Sequence, residues 1–253
     1  MNASIRIPEA VNAAIVAADD GSPEDAKTVR RITSVYVYEA PLRIWHWTNA
    51  LAIVVLIATG YFIGSPPPSM PGEAFDTFLF GYIRFAHFTA GYILGIGFLG
   101  RIYWAIAGNH HARQLFYFPF WRGRWWSEVF YEIRWYLFME SQPKKYVGHN
   151  PLAQLAMFCF MTLGLTFMIV TGFALYAEGQ QAGGWADTVF GWVIPLFGSS
   201  MTLHTFHHLG MWWIICFMII HIYVAIREDI MSRQSIVSTM ISGHRTFKDD
   251  NPD

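Results

Sequence analysis

His207 and His221 are the first residues in this sequence from which chemistry can be read. They lie in LHTFHHLGMWWIICFMIIHIYVAIR (203–227), which is apolar almost throughout and long enough to cross a bilayer. Ionisable side chains are costly inside a membrane, so those found there are candidates for function. Fourteen residues at 3.6 per turn leave the two imidazoles about 40° apart in azimuth and roughly 21 Å apart along the axis. One helix face therefore offers two rings at two depths. His208 and His204 fail the same test against His221, at about 140° and about 100°.

Four apolar segments approach the ~20 residues that a spanning helix needs. They fall near 44–64, 81–107, 152–177 and 203–226. The first two carry one histidine each, His46 in RIWHWTNAL and His87 in RFAHFTAGY, and the third carries none. SPPPSMPG cannot continue the first helix. Glycines 91, 95, 97 and 100 in the second allow close approach of a helix or a flat cofactor. Between the second and third spans, RQLFYFPFWRGRWWSEVFYEIRWYLFMESQPKK mixes charge with Trp, Tyr and Phe, as a helix at the headgroup level does.

Composition agrees with this layout. Of the 253 residues, 54% are hydrophobic and only 14% charged, against about 25% charged in soluble domains. Cys159 and Cys216 fall inside apolar spans, as buried free thiols do. No repeat, low-complexity tract or nucleotide-binding motif stands out, and nothing calls for a nucleic-acid partner; membrane lipid is the implied surroundings. The expected fold is an all-α integral membrane protein, a four-helix bundle with an interfacial helix between helices two and three. Residues 1–40 read as a cytoplasmic tail without a cleavable signal peptide, partly disordered over 1–35. Residues 41–227 form the membrane domain and 228–253 a second cytoplasmic tail.

Charge sets orientation. The loops 65–80 and 178–202 hold acids but no Lys or Arg, whereas both tails and the middle loop carry the basic residues. The positive-inside rule then places both termini and the middle loop in the cytoplasm. His46 falls at the inner depth and His87 at the outer, while His207 is outer and His221 inner. The depths match as two pairs, His46 with His221 and His87 with His207. One such histidine alone reads as an interhelical hydrogen-bonding residue. Four, matched in depth and azimuth, fit two bis-histidine haems, in which imidazole supplies both axial bonds to iron. Iron filled on both sides passes electrons rather than binding oxygen. Zinc fits poorly, because Cys, Asp and Glu do not cluster with these rings.

Arg84 stands one turn before His87, and Arg101 stands fourteen residues after it. Either can pair with a haem propionate or extend to the lipid headgroups; Arg84 is equally compatible with both, and Arg101 reads better as the second. Gly60, fourteen residues after His46, can leave room for the outer porphyrin or serve ordinary packing. His204, His208, His110, His111, His149 and His244 read as boundary or loop residues.

RIWHW with the following TGYFIG, and HTFHHLGMWWIICFMIIH continuing into REDIMSRQSIVSTMISGHRTFK, resemble the b-type cytochrome subunit of membrane-bound nickel–iron uptake hydrogenases. The resemblance covers roughly 36–250, and related chains include the membrane subunits of formate dehydrogenases. It implies two haems b on His46, His87, His207 and His221. It also implies the iron–sulfur small subunit on the outer face, the large subunit beyond it, quinone as acceptor, and a place in the bacterial inner membrane. The chain has no CxxC pair to hold nickel, so hydrogen chemistry falls to another subunit. A membrane subunit of a formate dehydrogenase or thiosulfate reductase is the nearest rival. A haem-free anchor or proton-conducting bundle is the rival from another class.

Topology can be tested directly. Reporter fusions at residues 70 and 190 should read as outside, and fusions at 125 and 240 as cytoplasmic. A periplasmic carboxyl terminus would reverse which histidine pair is the outer one.

Overall fold

The computed structural model describes residues 32–66, 68, 77–117, 119–180 and 182–248. The disorder expected of the amino-terminal segment falls, through residue 31, outside the described residues. Four helices are long and apolar enough to span a membrane: α1 (Ala40–Gly64), α2 (Leu79–Ala107), α4 (Pro151–Glu178) and α7 (Ser200–Met231). The interfacial α3 is Gly123–Tyr136, and the loop after α4 folds into the short α5 (Trp185–Phe190) and α6 (Val193–Leu196). α8 (Ile236–Ser242) follows α7.

Local chemistry explains the boundaries. α1 starts with Pro41 in its first turn, where the missing N–H costs nothing. α4 starts at Pro151 behind Asn150, whose side chain accepts the Ala153 N–H. α7 starts behind Ser199, which accepts the Thr202 N–H. Within α4, Phe158–Leu163 is π-helical, a local widening that often accompanies functional sites. It presents Phe160, whose ring stacks on Trp213 at 4.4 Å and on Phe217 at 5.1 Å.

The core lies midway along the bundle. Ala52 and Ile53 of α1, Leu94 and Phe98 of α2, Met161 and Leu165 of α4, and Ile214 and Phe217 of α7 pack as one cluster. This apolar layer falls between His207 and His221 along α7, so it separates the two histidine levels. Ile44, Leu51, Phe85, Ile96, Leu99, Ile106, Ile219 and Ile220 face outward, as side chains bathed in lipid do. Cys216 is also exposed on this face rather than buried.

Besides the helices, two short strands join the segments flanking the bundle. β1 (Ile32–Tyr36) pairs antiparallel with β2 (His244–Lys248), with Tyr36 opposite His244. Gly243 makes the turn possible: its φ of 84° is left-handed, and a Cβ there would meet the Tyr38 carbonyl at 2.6 Å. Such a glycine ends a helix without steric cost.

α3 turns one face inward, with Trp125, Val129, Glu132 and Trp135 buried at helical spacing. It is locked to the end of α7. Trp135 Nε1 donates to Glu228 at 3.1 Å, and Arg227 donates to the Trp135 carbonyl at 3.1 Å while lying over the rings of Trp135, Tyr136 and Phe138. Glu132 is 1% exposed and accepts from Asn150 at 3.1 Å. Burial, with Glu228 and Glu128 nearby, pushes its carboxyl up from 4.5 to about 7, against Tyr146 and Lys144.

A raised carboxyl pKa means that the folded state holds a proton which the unfolded state has released. The stability Glu132 contributes is then complete below pH 4.5 and lost as pH rises toward 7. Glu132→Gln should remove this dependence. Between about pH 5 and about pH 8 the thermal midpoint of the detergent-purified protein should fall in the natural chain and fall less in the variant. Equal slopes in both would show that Glu132 does not titrate there.

Candidate functional site

The bundle brings the four histidines singled out by spacing together as two pairs. His46 of α1 and His221 of α7 stand with ring centres 6.3 Å apart and planes at 53°. Two imidazoles bonded to opposite sides of one metal at about 2 Å each stand with ring centres roughly 6 Å apart. Phe217 stacks on His221 at 5.4 Å, and Trp47 lies edge-on to His46 at 5.1 Å. His46 Nδ1 is buried and has no hydrogen-bond partner among the described residues, so this ring is held by packing.

His87 of α2 and His207 of α7 share one cavity of about 490 Å³ between α1, α2, α4 and α7. That volume is in the range of cofactor pockets. Its walls are mostly apolar, and Gly60, Gly91 and Gly172 take part in the lining. A Cβ on Gly91 would meet nothing within 4 Å, whereas one on Gly60 would stand 3.3 Å from His87 Cε1. Gly60 thus makes room for the His87 ring, beyond any clearance for a porphyrin.

Each of these rings is held by a threonine. His87 Nδ1 is 2.9 Å from Thr59 Oγ1, and the Thr59 hydroxyl donates to the Val55 carbonyl at 2.6 Å. His207 Nδ1 is 2.7 Å from Thr171 Oγ1, and the Thr171 hydroxyl donates to the Phe167 carbonyl at 2.7 Å. Since each hydroxyl proton is committed to its own helix, each threonine oxygen is left to accept from Nδ1–H. That assigns the lone pair to Nε2 in both histidines, the state in which imidazole binds a metal.

Neither threonine is titratable or a usual metal ligand, so charge and ligand chemistry do not single them out in the sequence. The signal is the repeated Thr-Gly step, in TGYFIG of α1 and TGFALY of α4. α4, which brings no histidine, therefore does more than support the bundle, since it orients His207.

The arginines divide. Arg84 is exposed, lines the cavity and lies over the Phe80 ring at 5.5 Å. Arg101 does not extend to the headgroups: it is 4% exposed, donates to the Ala112 carbonyl at 2.5 Å, and lies over Trp45 at 5.5 Å and Phe116 at 5.3 Å. Aromatic faces hold the cation inside, and its Nε and one terminal nitrogen find no hydrogen-bond partner among the described residues. Those N–H groups suit a carboxylate.

His208 and His204, set aside by azimuth, also line the cavity. A Cβ on Gly64 would meet the His208 ring at 3.0 Å. The cavity is broad enough to reach across the ~100° between consecutive helix positions. His149 lies with Tyr38 at 3.3 Å and Gln114 at 3.2 Å, and His244 packs on Tyr36 at 5.0 Å. Both belong to the region outside the bundle. Among the described residues no group of three or more His, Cys, Asp or Glu is placed to hold a free metal ion.

The donor set therefore suits a flat macrocycle held from both sides. Two imidazoles stand at each level, the His87/His207 cavity is apolar with glycine clearances, and a buried guanidinium lies over Trp45, the residue before His46. These features fit haem.

Comparison with known proteins agrees. Residues 37–243 match the family model described as prokaryotic cytochrome b561. The chain is 68% identical over 225 residues to a protein of Azotobacter chroococcum mcd 1 named a probable Ni/Fe-hydrogenase B-type cytochrome subunit, covering 89% of this chain and 94% of that one. A Rhodobacter capsulatus protein of the same name is 61% identical over 251 residues, 99% of this chain and 96% of its own. The Escherichia coli (strain K12) protein named probable Ni/Fe-hydrogenase 1 B-type cytochrome subunit is 51% identical over 221 residues, 86% and 93% respectively. With its four apolar helices and this match over most of its length, the chain belongs to the prokaryotic cytochrome b561 family, as a b-type cytochrome of the Ni/Fe-hydrogenase subunit group.

Proposed function

We propose that this chain holds a nickel–iron hydrogenase at the bacterial inner membrane and passes electrons from its iron–sulfur small subunit to quinone through two haems b. The observation that carries this reading is the convergence of four histidines as two pairs on opposite sides of one apolar layer. His87 and His207 would hold the haem nearer the hydrogenase, and His46 and His221 the haem nearer the cytoplasm and the quinone. Haem held by these histidines would supply one-electron chemistry.

The residues of the chain do the rest. Nε2 of each outer-level histidine is kept unprotonated by the hydrogen bond at Nδ1. Arg84 at the cavity and Arg101 beside Trp45 are available to propionates, one at each level. The apolar layer excludes water and lowers the dielectric between the two levels, which sets the potentials together with the axial ligands. Orientation, with both termini and the middle loop in the cytoplasm, rests on the distribution of Lys and Arg. It places quinone reduction and its proton uptake on the cytoplasmic side, and hydrogen oxidation outside. The large subunit carries the nickel chemistry, because this chain offers no thiolate pair for it. The names carried by the relatives favour hydrogenase over a formate or thiosulfate partner.

Single-histidine variants separate the two levels. In membranes, His87→Ala and His207→Ala should each lose one of two haems and drop hydrogen-driven quinone reduction to background. His46→Ala and His221→Ala should each keep a haem that hydrogen still reduces, with quinone turnover equally lost. The hydrogen-reduced minus oxidised spectrum of each variant checks this. If His46→Ala leaves the remaining haem unreducible by hydrogen, the order of transfer is the reverse.

A further inference from the structure

α1 and α4 meet α2 and α7 through the same two-residue device. On α1, Thr59 Oγ1 stands 2.9 Å from His87 Nδ1, and the adjacent Gly60 leaves room at the same edge of the ring, since a Cβ there would stand 3.3 Å from Cε1. On α4, Thr171 receives the His207 Nδ1–H while a Cβ on Gly172 would stand 3.2 Å from His207 Cε1. In both, the threonine is anchored by donating to the carbonyl four residues earlier in its own helix. The two histidines of the cavity are thus gripped by two matching Thr-Gly steps on two different helices. No such acceptor serves His46, whose Nδ1 has no hydrogen-bond partner among the described residues.

We infer that Thr59–Gly60 and Thr171–Gly172 are paired positioning residues that set the ring orientation and electron donation of His87 and His207, and so make the haem of that level electronically distinct from the other. This rests on the reading that His87 and His207 are the axial ligands. A ligating imidazole that donates its other N–H to an acceptor is fixed in tautomer and orientation and becomes more basic. A more basic ligand favours the oxidised, more positively charged iron, and so lowers the potential. A threonine oxygen is a weaker acceptor than a carboxylate, and here its own proton is tied to the backbone, which leaves its lone pairs free for the histidine. The threonine oxygen and the space left by the glycine then meet the same edge of the ring. Glycine is needed because adding one carbon leaves the ring only a contact tighter than most side chains tolerate.

The test replaces the hydroxyl while keeping the volume. Thr59→Val and Thr171→Val are compared with Thr59→Ser and Thr171→Ser in membranes carrying the whole complex. The midpoint potential of each haem is read by redox titration of the absorbance bands, and ligand geometry by electron paramagnetic resonance of the oxidised haems. Each Val variant should raise the potential of the His87/His207 haem, change its resonance signature, and speed its loss to a haem scavenger by about 10- to 100-fold. The other haem should stay unchanged as an internal control. The Ser variants should restore the natural values.

Val variants with both haems unmoved in potential and signature would overturn the inference. So would Ser variants that shift, or lose the haem, as far as Val, because packing rather than the hydroxyl would then be the cause. If Val loses the haem outright while Ser keeps it at its natural potential, the hydroxyl is again what matters. The parallel His87→Ala variant keeps the two questions apart. Retention of both haems there would sink the ligand assignment itself, whereas loss of one haem with silent Val variants would sink only the Thr-Gly inference.

Discussion

The helical repeat of α7 is the constraint on which the arrangement depends. Fourteen residues return a helix to nearly the same azimuth after roughly 21 Å, so His207 and His221 look out from one face at two depths. The other three spanning helices each answer one of those rings. α1 brings His46 to His221, α2 brings His87 into the cavity of His207, and α4 brings the threonine that holds His207. Inserting or deleting one residue between the two histidines of α7 would turn one ring by about 100° relative to the other and leave its partner facing an apolar wall.

Burying imidazoles in a low-dielectric bundle requires their polar atoms to be matched. The two levels differ here, because Nδ1 of His87 and of His207 is matched whereas His46 Nδ1 finds no hydrogen-bond partner among the described residues. At the His87/His207 cavity each Nδ1–H goes to a threonine whose own proton returns to the helix backbone. At the His46/His221 level the rings rest on aromatic neighbours, Trp47 and Phe217, and a buried arginine lies next to Trp45. The layer of Ile53, Leu94, Phe98, Leu165 and Phe217 keeps the two environments apart. Two histidine pairs are thereby given different surroundings, and under the proposed function this difference would set two potentials with one cofactor chemistry.

The membrane spans were legible because length and hydropathy determine them almost alone, and α1, α2, α4 and α7 extend each expected segment by only a few residues at its ends. The histidine pairing was legible because it needs only helix geometry and a shared direction. What could not be read involves contacts between residues distant in sequence. Thr59 and Thr171 look like ordinary apolar-helix residues until His87 and His207 are placed beside them. Arg101 reads as a headgroup-seeking cation, yet Trp45 and Phe116 hold it inside. The β1–β2 pairing joins residues more than two hundred positions apart, with no local pattern to announce it. His208 was excluded by azimuth, but a cavity wide enough for a cofactor reaches more than one narrow face.

The account stands or falls on two imidazole pairs each holding iron. The direct measurement is the haem content of the purified, intact chain in mild detergent, set against protein determined by amino-acid analysis, with electron paramagnetic resonance of the oxidised sample. Two haems b per chain, both low-spin with two nitrogen axial ligands, is the predicted result. One haem per chain, or a substantial high-spin fraction in undamaged protein, would contradict it.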